Sequence, residues 1–520
     1  MASELFIIQR TGRFMNSDSE ATENQKPKIE NCKQQTDHST HTPMKRISQL
    51  LLPLTLALGL SACQSELEDI NKNPNEATQG QPDYVLTNAL KSSADLVMGS
   101  DASMETTVLF VQYWAKIQYT DVDKYTTSPT NVQNVWTNTY TQGLNDYAEV
   151  IRLGEQAKNP NYQAVGLIMR SWSFQVLTDL YGDIPYSQAL NIDQYLTPKY
   201  DAQKDVYTGL LNDLQKAVTL IDDTGASPIS GDVVYKGNMK LWRKFAQSLR
   251  LRIALRIADR DAATAKTVIS SLSKTDLIAG NEETAQFTYL TSPNQNPVNR
   301  DRETRDDYRV SKTIVDKLVQ LNDPRLSVYV NKTADYTPQG YIGVTNGLPA
   351  DSAARLGFTK TSKLGDYFTA ASAPAVFVNY AEVLFNLAEA AQRGFTSDDA
   401  ATLYKQAVTA SLQQYRVTAD EISKYLAQPS VAYDAANYKK SIGEQKWLAL
   451  FGESQESFAE WRRLDYPQLK PAYAGVLNGR MPVRLTYPTG EQALNNANYK
   501  AAVANQGADL LTTKLWFDVN

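Results

Sequence analysis

Apolar residues recur at helical spacing along most of the chain. Trp136, Tyr140, Leu144, Tyr147 and Ile151 fall at i, i+4, i+8, i+11 and i+15. Val165, Ile168, Met169, Trp172, Val176 and Leu180 form a second stripe, closed by Gly182 and then Pro185. Further stripes run through Val206–Ile221, Trp242–Ile257, Val310–Leu321, Val376–Ala391, Leu403–Leu412 and Trp447–Leu464. Gly394 is the stop for the Val376 stripe, and Trp447, Phe451, Phe458 and Trp461 share a face in the last one. The pattern predicts about ten helices or more, with strand only near Phe287–Leu290 and Tyr341–Thr345.

The expected fold is therefore all-α in the main. Paired helices of this length predict an α-solenoid of degenerate tetratricopeptide-type pairs, although no clean self-repeat marks the register. Long polar stretches interrupt the pattern at Tyr119–Trp136, Thr291–Tyr308 and Asn331–Pro374, the last rich in Gly, Pro, Thr, Ser and Asn. Structureless runs of this length in a compact domain are uncommon and often bind ligands. They predict a loop-rich, irregular half set on the helical scaffold.

The beginning of the chain reads as processing information. Residues 1–43 show no period and end at Met44, the expected start of translation. Lys45-Arg46 and the apolar run Ile47–Ala62 follow, with the order of charges and apolar residues of a secretory signal. The run is shorter than the ~20 residues of a membrane-spanning helix. Leu60-Ser61-Ala62-Cys63 resembles a lipobox, the bacterial signal for lipidating a cysteine and cutting before it. The expected layout is a mis-called extension (1–43), a lipoprotein signal peptide (44–62), a tether lipidated at Cys63 (63–82) and one ligand-binding domain (83–520). In the tether, Asp69, Asn71, Asn73 and Asn75 alternate like a calcium loop. Pro74 and Gly80 occupy the positions that need Gly and Glu, so a turn-rich linker is the better reading.

Composition narrows the chemistry. The net charge is −5, with no basic block, which argues against a nucleic-acid partner. His38, His41, Cys32 and Cys63 are the only His and Cys residues, so the body after Cys63 has neither. It cannot hold a Ser–His–Asp triad, a Cys–His pair or a His/thiolate zinc site. Catalysis would fall to carboxylates, yet Asp121/Asp123, Asp222/Asp223 and Asp306/Asp307 are sequence neighbours in turns. Glycosidase carboxylates must instead face each other across a cleft. No catalytic residue, metal or cofactor is assigned. Arg252, Arg256 and Arg260 form an i, i+4 strip, read as salt bridges or a solvated face before an anion site. Tyr is abundant, at 29 residues against 14 Phe and 7 Trp. A flat ring with a polar tip suits a sugar and also a peptide. Trp172, Trp242, Trp447 and Trp461 lie on apolar helix faces and read as core. Tyr119, Tyr125 and Trp136 beside the first loop, and Tyr336, Tyr341 and Tyr367 in the long insert, are the candidate ligand-binding residues.

Several segments carry a resemblance. Asn379–Gly394 (NYAEVLFNLAEAAQRG), Glu444–Phe451 (EQKWLALF), Glu460–Leu469 (EWRRLDYPQL) and Met481–Glu491 (MPVRLTYPTGE) resemble the SusD/RagB family of Bacteroidetes outer-membrane nutrient-binding lipoproteins. Trp242–Ala258, Asp179–Leu190 and the closing Lys514–Asp518 are similar to family segments too. Glu66, Glu68 and Asp69 resemble its surface-export signal. The resemblance implies four tetratricopeptide-type helix pairs, no enzyme activity, and lipid anchorage on the cell-surface side of the outer membrane. It implies a SusC-like TonB-dependent transporter as partner, with this protein as its lid. Glycan is the expected ligand and peptide the alternative. A lipid-anchored carboxylate glycosidase and a purely protein-binding scaffold are the competing readings. The matching segments are helix-packing text, so no ligand residue carries over from the family.

Overall fold

Polar side chains placed just ahead of apolar stripes start several of the long helices. The structure, a computed structural model, describes residues 80–335 and 340–519. Cys63, the signal-like run, the Asp69–Asn75 tether and Tyr336 lie outside the described residues. Nine longer helices carry the scaffold: α1 (Pro82–Met98), α2 (Asn145–Gln156), α3 (Pro160–Tyr181), α4 (Gln203–Leu220), α5 (Met239–Ile257), α6 (Tyr380–Gln392), α7 (Ala400–Gln414), α8 (Tyr438–Ala449) and α9 (Ser454–Leu464). Asn159, Asn238, Asn379 and Asp399 cap α3, α5, α6 and α7 by accepting backbone N–H bonds from the first turn. Pro160 adds a preset φ at the start of α3.

Neighbours in sequence are neighbours in space. Packing runs α1–α2–α3–α4–α5, then α5 to α6, α6 to α7 and α8, and α8 to α9. Helix α9 returns to pack on α3. This is the paired-helix scaffold that the periodicity predicts. Helix α3 is buried on almost every side, the signature of a central helix. At its end Gly182 sits at φ +87°, where an added Cβ would fall 1.7 Å from Gln506 Oε1. The positive φ favours glycine there.

Strand is confined to three antiparallel pairs among the described residues: β1 (Trp114–Lys116) with β5 (Tyr308–Val310), β2 (Ile184–Pro185) with β3 (Tyr200–Asp201), and β4 (Ala285–Thr288) with β6 (Pro374–Val378). Three predicted helices are shorter than their stripes; the Val310–Leu321 stripe gives up Val310 to β5 and its helix runs Lys312–Gln320. Val376-Phe377-Val378 belongs to β6, and Asn379 starts α6 afterwards. Pro374 and a β-branched run favour the strand, while the Asn379 cap fixes the helix start. The Trp447–Leu464 stripe is α8 and α9, broken around Gly452. Conversely, the Trp136–Ile151 stripe is one rod. A wide turn at Thr139–Leu144 joins the helix Pro129–Asn138 to α2.

The centre of the scaffold is charged. Arg252 Nε donates to Glu382 Oε1 at 2.7 Å, and Arg256 Nη2 reaches both Glu456 oxygens at 2.7 Å. Arg463 grips Glu389 with two bonds of 2.6 Å and Glu460 with two of 2.9 and 2.7 Å, and Lys446 Nζ meets Glu460 Oε2 at 2.7 Å. All of these groups are buried. The network links α5, α6, α8 and α9, and Asp179 joins it from α3, 3.4 Å from Arg256. Salt bridges between helices are thus the role of Arg252 and Arg256. Arg260, exposed at the strip's end, donates to the Trp516 carbonyl. Trp172, Trp242 and Trp447 are core, and Trp461 packs against it partly buried.

Candidate ligand-binding site

The irregular half grows outward from β1 and β5. Beyond β5, Val310 N donates to Ser362 O and Val344 N donates to Val310 O. Asn331 N in turn donates to Lys363 O. Backbone bonds, Ile117 N to Asp307 O among them, thus set the loops of 117–128, 303–307, 331–335, 340–347 and 357–364 side by side. The loop ahead of Met481 joins them, with Tyr473 N donating to Asn346 O, Ala474 N to Gly347 O and Val476 N to Lys124 O.

Tyr119 stands on this surface, 62% exposed and at φ +53°. The Arg305 guanidinium lies 5.2 Å from its ring centroid, a cation–π contact. Arg305 is anchored below by Asp307 at 3.2 Å, and buried Lys116 also bonds to Asp307. Burial pushes the Asp307 carboxyl up; the bonds and charges of Arg305 and Lys116 outweigh it and hold the group below its usual range. Lys116 Nζ also sits 3.8 Å over the Tyr308 ring. An exposed aromatic therefore rests on a cation whose counter-ion is buried and fully engaged. Next to it, Asp306 takes bonds from Arg309 and Lys363, and Arg309 faces the exposed Phe358 at 5.2 Å.

The other candidates divide. Tyr341 is partly buried, with Lys332 Nζ 6.0 Å from its ring. Tyr367 is 40% exposed and leans edge-on against Phe368 and Tyr415 at 5.0 and 5.3 Å. Trp136 is not a surface residue. It lies in an aromatic cluster with Tyr140, Tyr181, Tyr200 and Tyr487, at 5.1–6.0 Å between centroids. Tyr125, at φ +71°, is buried as well, edge-on to Phe110 at 6.0 Å. Its hydroxyl accepts from Ala472 N at 2.8 Å and donates to Met481 Sδ at 3.1 Å. Burial removes Trp136 and Tyr125 from the candidate ligand surface; Tyr125 clamps a loop instead. That loop presents Tyr473, 73% exposed, which sequence reasoning passed over. Its signal was a Tyr in the Pro- and Gly-punctuated run Pro467–Gly475, between helix-packing segments.

Asp123 sits under the surface. Its Oδ2 accepts from Lys116 N at 3.1 Å and Gly347 N at 2.9 Å, and its Oδ1 from Asn346 Nδ2 at 2.7 Å. Burial pushes the carboxyl up to about 6 against the pull of these bonds. The remaining paired carboxylates are engaged: Asp121 with Lys124, Asp222 with Thr224 and Asp223 with Arg243. Among the described residues no group of three His, Cys, Asp or Glu side chains could hold a metal ion.

A family profile described as starch-binding and associating with the outer membrane, SusD-like, matches residues 74–488. A solved structure named chitin-binding protein is 28% identical with TM-score 0.77, covering 85% of this chain and 100% of its own. A SusD homologue from Bacteroides fragilis is 26% identical with TM-score 0.71, covering 85% and 99%. A chitin-binding SusD homologue from Flavobacterium johnsoniae, 24% identical with TM-score 0.74 over 84% and 99%, shares the fold. Among curated proteins none matches. Profile and folds agree over the helical scaffold and the loops set on it, and the chain belongs to the SusD-like family.

Proposed function

We propose that this protein is a surface lipoprotein that captures a glycan on the Tyr119–Tyr473 face and delivers it, without turnover, to a SusC-like TonB-dependent transporter. The observation that carries the reading is the exposed Tyr119 ring, braced by Arg305 over the buried Asp307–Lys116 pair. A sugar ring offers an apolar C–H face for such a ring and hydroxyls for the charged groups around it. Chitin-type oligosaccharides are the first ligands to test, because the 28%-identical structure is named for chitin binding. Engagement of the paired carboxylates in ion pairs and backbone bonds favours binding over hydrolysis. Lipid on Cys63 would anchor the body to the outer membrane. No described helix is long and apolar enough to cross a membrane. Tethering beside the transporter makes docking intramolecular, so modest affinity suffices.

The test is affinity electrophoresis of residues 65–520 in gels cast with soluble chitin derivatives, starch and other polysaccharides. Retardation by a glycan, abolished by Tyr119→Ala and weakened by Tyr473→Ala, supports the reading. No retardation on any gel moves the ligand to peptide. Release of reducing ends during incubation overturns the non-catalytic role. Recovery of a barrel-sized partner with the full-length protein from detergent-solubilised outer membranes tests the delivery step.

A further inference from the structure

Tyr119 and Tyr473 stand on loops more than three hundred residues apart in sequence, so something must set their spacing. Each loop is tied to one buried group. Asp123 follows Tyr119 by four residues, in the short helical turn Val122–Lys124. Its carboxylate takes the Lys116 and Gly347 N–H groups and the Asn346 amide. Asn346 is itself fixed on its other sides, donating to Trp114 O at 2.7 Å and accepting from Ser311 Oγ at 2.5 Å. The carbonyls of Asn346 and Gly347 then receive Tyr473 N at 2.9 Å and Ala474 N at 3.0 Å. Gly347 lies at φ +72°, where an added Cβ would fall 2.5 Å from the Ala472 Cβ. The turn and the Tyr473 loop are therefore in close contact. Removing the carboxylate would orphan two buried backbone donors at once.

From this placement we infer that Asp123 is the positioning residue of the ligand face: its carboxylate fixes the 346–347 turn, and the turn fixes Tyr473 relative to Tyr119. Asp123 touches no ligand. The inference rests on the reading of this face as the capture surface, but the tie itself is testable without any ligand.

Hydrogen exchange on residues 65–520 compares wild type with Asp123→Asn and with the swap Asp123→Asn/Asn346→Asp. Either variant keeps an oxygen for both backbone N–H groups; in Asp123→Asn the two side-chain amides meet donor to donor, and the swap restores a donor–acceptor pair between them while giving up the bond from residue 346 to the Trp114 carbonyl. In Asp123→Asn, protection of peptides spanning 344–349 and 470–480 is expected to fall at least tenfold, with α4 and α6 unchanged. The swap is expected to recover part of that loss. Affinity for chitohexaose, where the wild type binds it, should fall about tenfold in Asp123→Asn and recover in the swap. Unchanged loop protection in Asp123→Asn overturns the inference. So does a loss shared equally by the helices. Intact wild-type protection with no glycan bound on any gel sinks the glycan reading alone, since the exchange results still decide the role of Asp123.

Discussion

Glu453 begins the turn into α9 with a carboxyl that has little to bond. Oε1 accepts from Asn379 Nδ2, while Oε2 is buried without a protein partner beside a cavity of ≈ 20 Å³. That space suits one water. Burial, reinforced by the charge of Glu382, pushes the group up to about 8. The folded protein therefore holds a proton that the unfolded chain releases above its ordinary value of 4.5. Stability from this group is complete below about 4.5 and is lost as pH rises through about 8. Glu453→Gln keeps the shape without the proton. Its unfolding free energy in urea should match wild type near pH 5 and exceed it at pH 8.5, by on the order of 3 kcal/mol. An equal difference at both pH values would show that the group does not titrate in that window. Two aromatics make the complementary comparison. Trp136→Ala should cost about 3–5 kcal/mol, as expected for a buried ring. Tyr119→Ala should leave the midpoint within about 0.5 kcal/mol and change only binding.

At the scale of elements, Asn379 serves two of them. Its side chain caps α6 by accepting from Glu382 N at 2.8 Å, and its amide is the bond that Glu453 has. Asn379→Ala should cost about 2–4 kcal/mol, more than a cap alone, by urea denaturation. A loss of only ~1 kcal/mol would reduce its role to the cap. The helices were legible because their apolar period is set by burial on one face, as in α4 and α7. Boundaries were less so: Val376–Val378 has the composition of either element, and the Asn379 cap and the partner strand β4 decide it. The buried charges were half legible. An i, i+4 arginine strip shows in the sequence, but its partners Glu382, Glu456 and Glu460 lie more than a hundred residues away. The ligand face was the least legible. Tyr119 and Tyr367, singled out for their polar surroundings, are exposed, whereas Trp136 and Tyr125 share that setting and are buried. What separates them is tertiary: the Tyr125 ring is covered by Phe110 and the Ala472–Met481 loop, and Trp136 by Tyr181, Tyr200 and Tyr487, all far away in sequence, and local composition does not carry that.

At the scale of the molecule, helix pairs packed only on their neighbours would unfold piecemeal. Here α9 returns to α3, and the charged network clasps α5, α6, α8, α9 and Asp179 of α3. Leaving one buried ion unpaired costs about 3–5 kcal/mol, so the helices should open together. Urea unfolding followed by far-ultraviolet circular dichroism and by Trp fluorescence should give coincident single transitions. Separated midpoints would show that the array retains independent segments. Arg256→Met should lower that shared midpoint without splitting it.

The Asp123 tie also bears on how such a surface can change its taste. The acceptor comes from one stretch of chain, two of its three donors from a second, and the platform they hold from a third. A graft of one stretch from a relative would bring a socket without its plug. Ligand preference in this architecture should therefore be inherited as a matched set of three loops, with the helices beneath left to drift on their own.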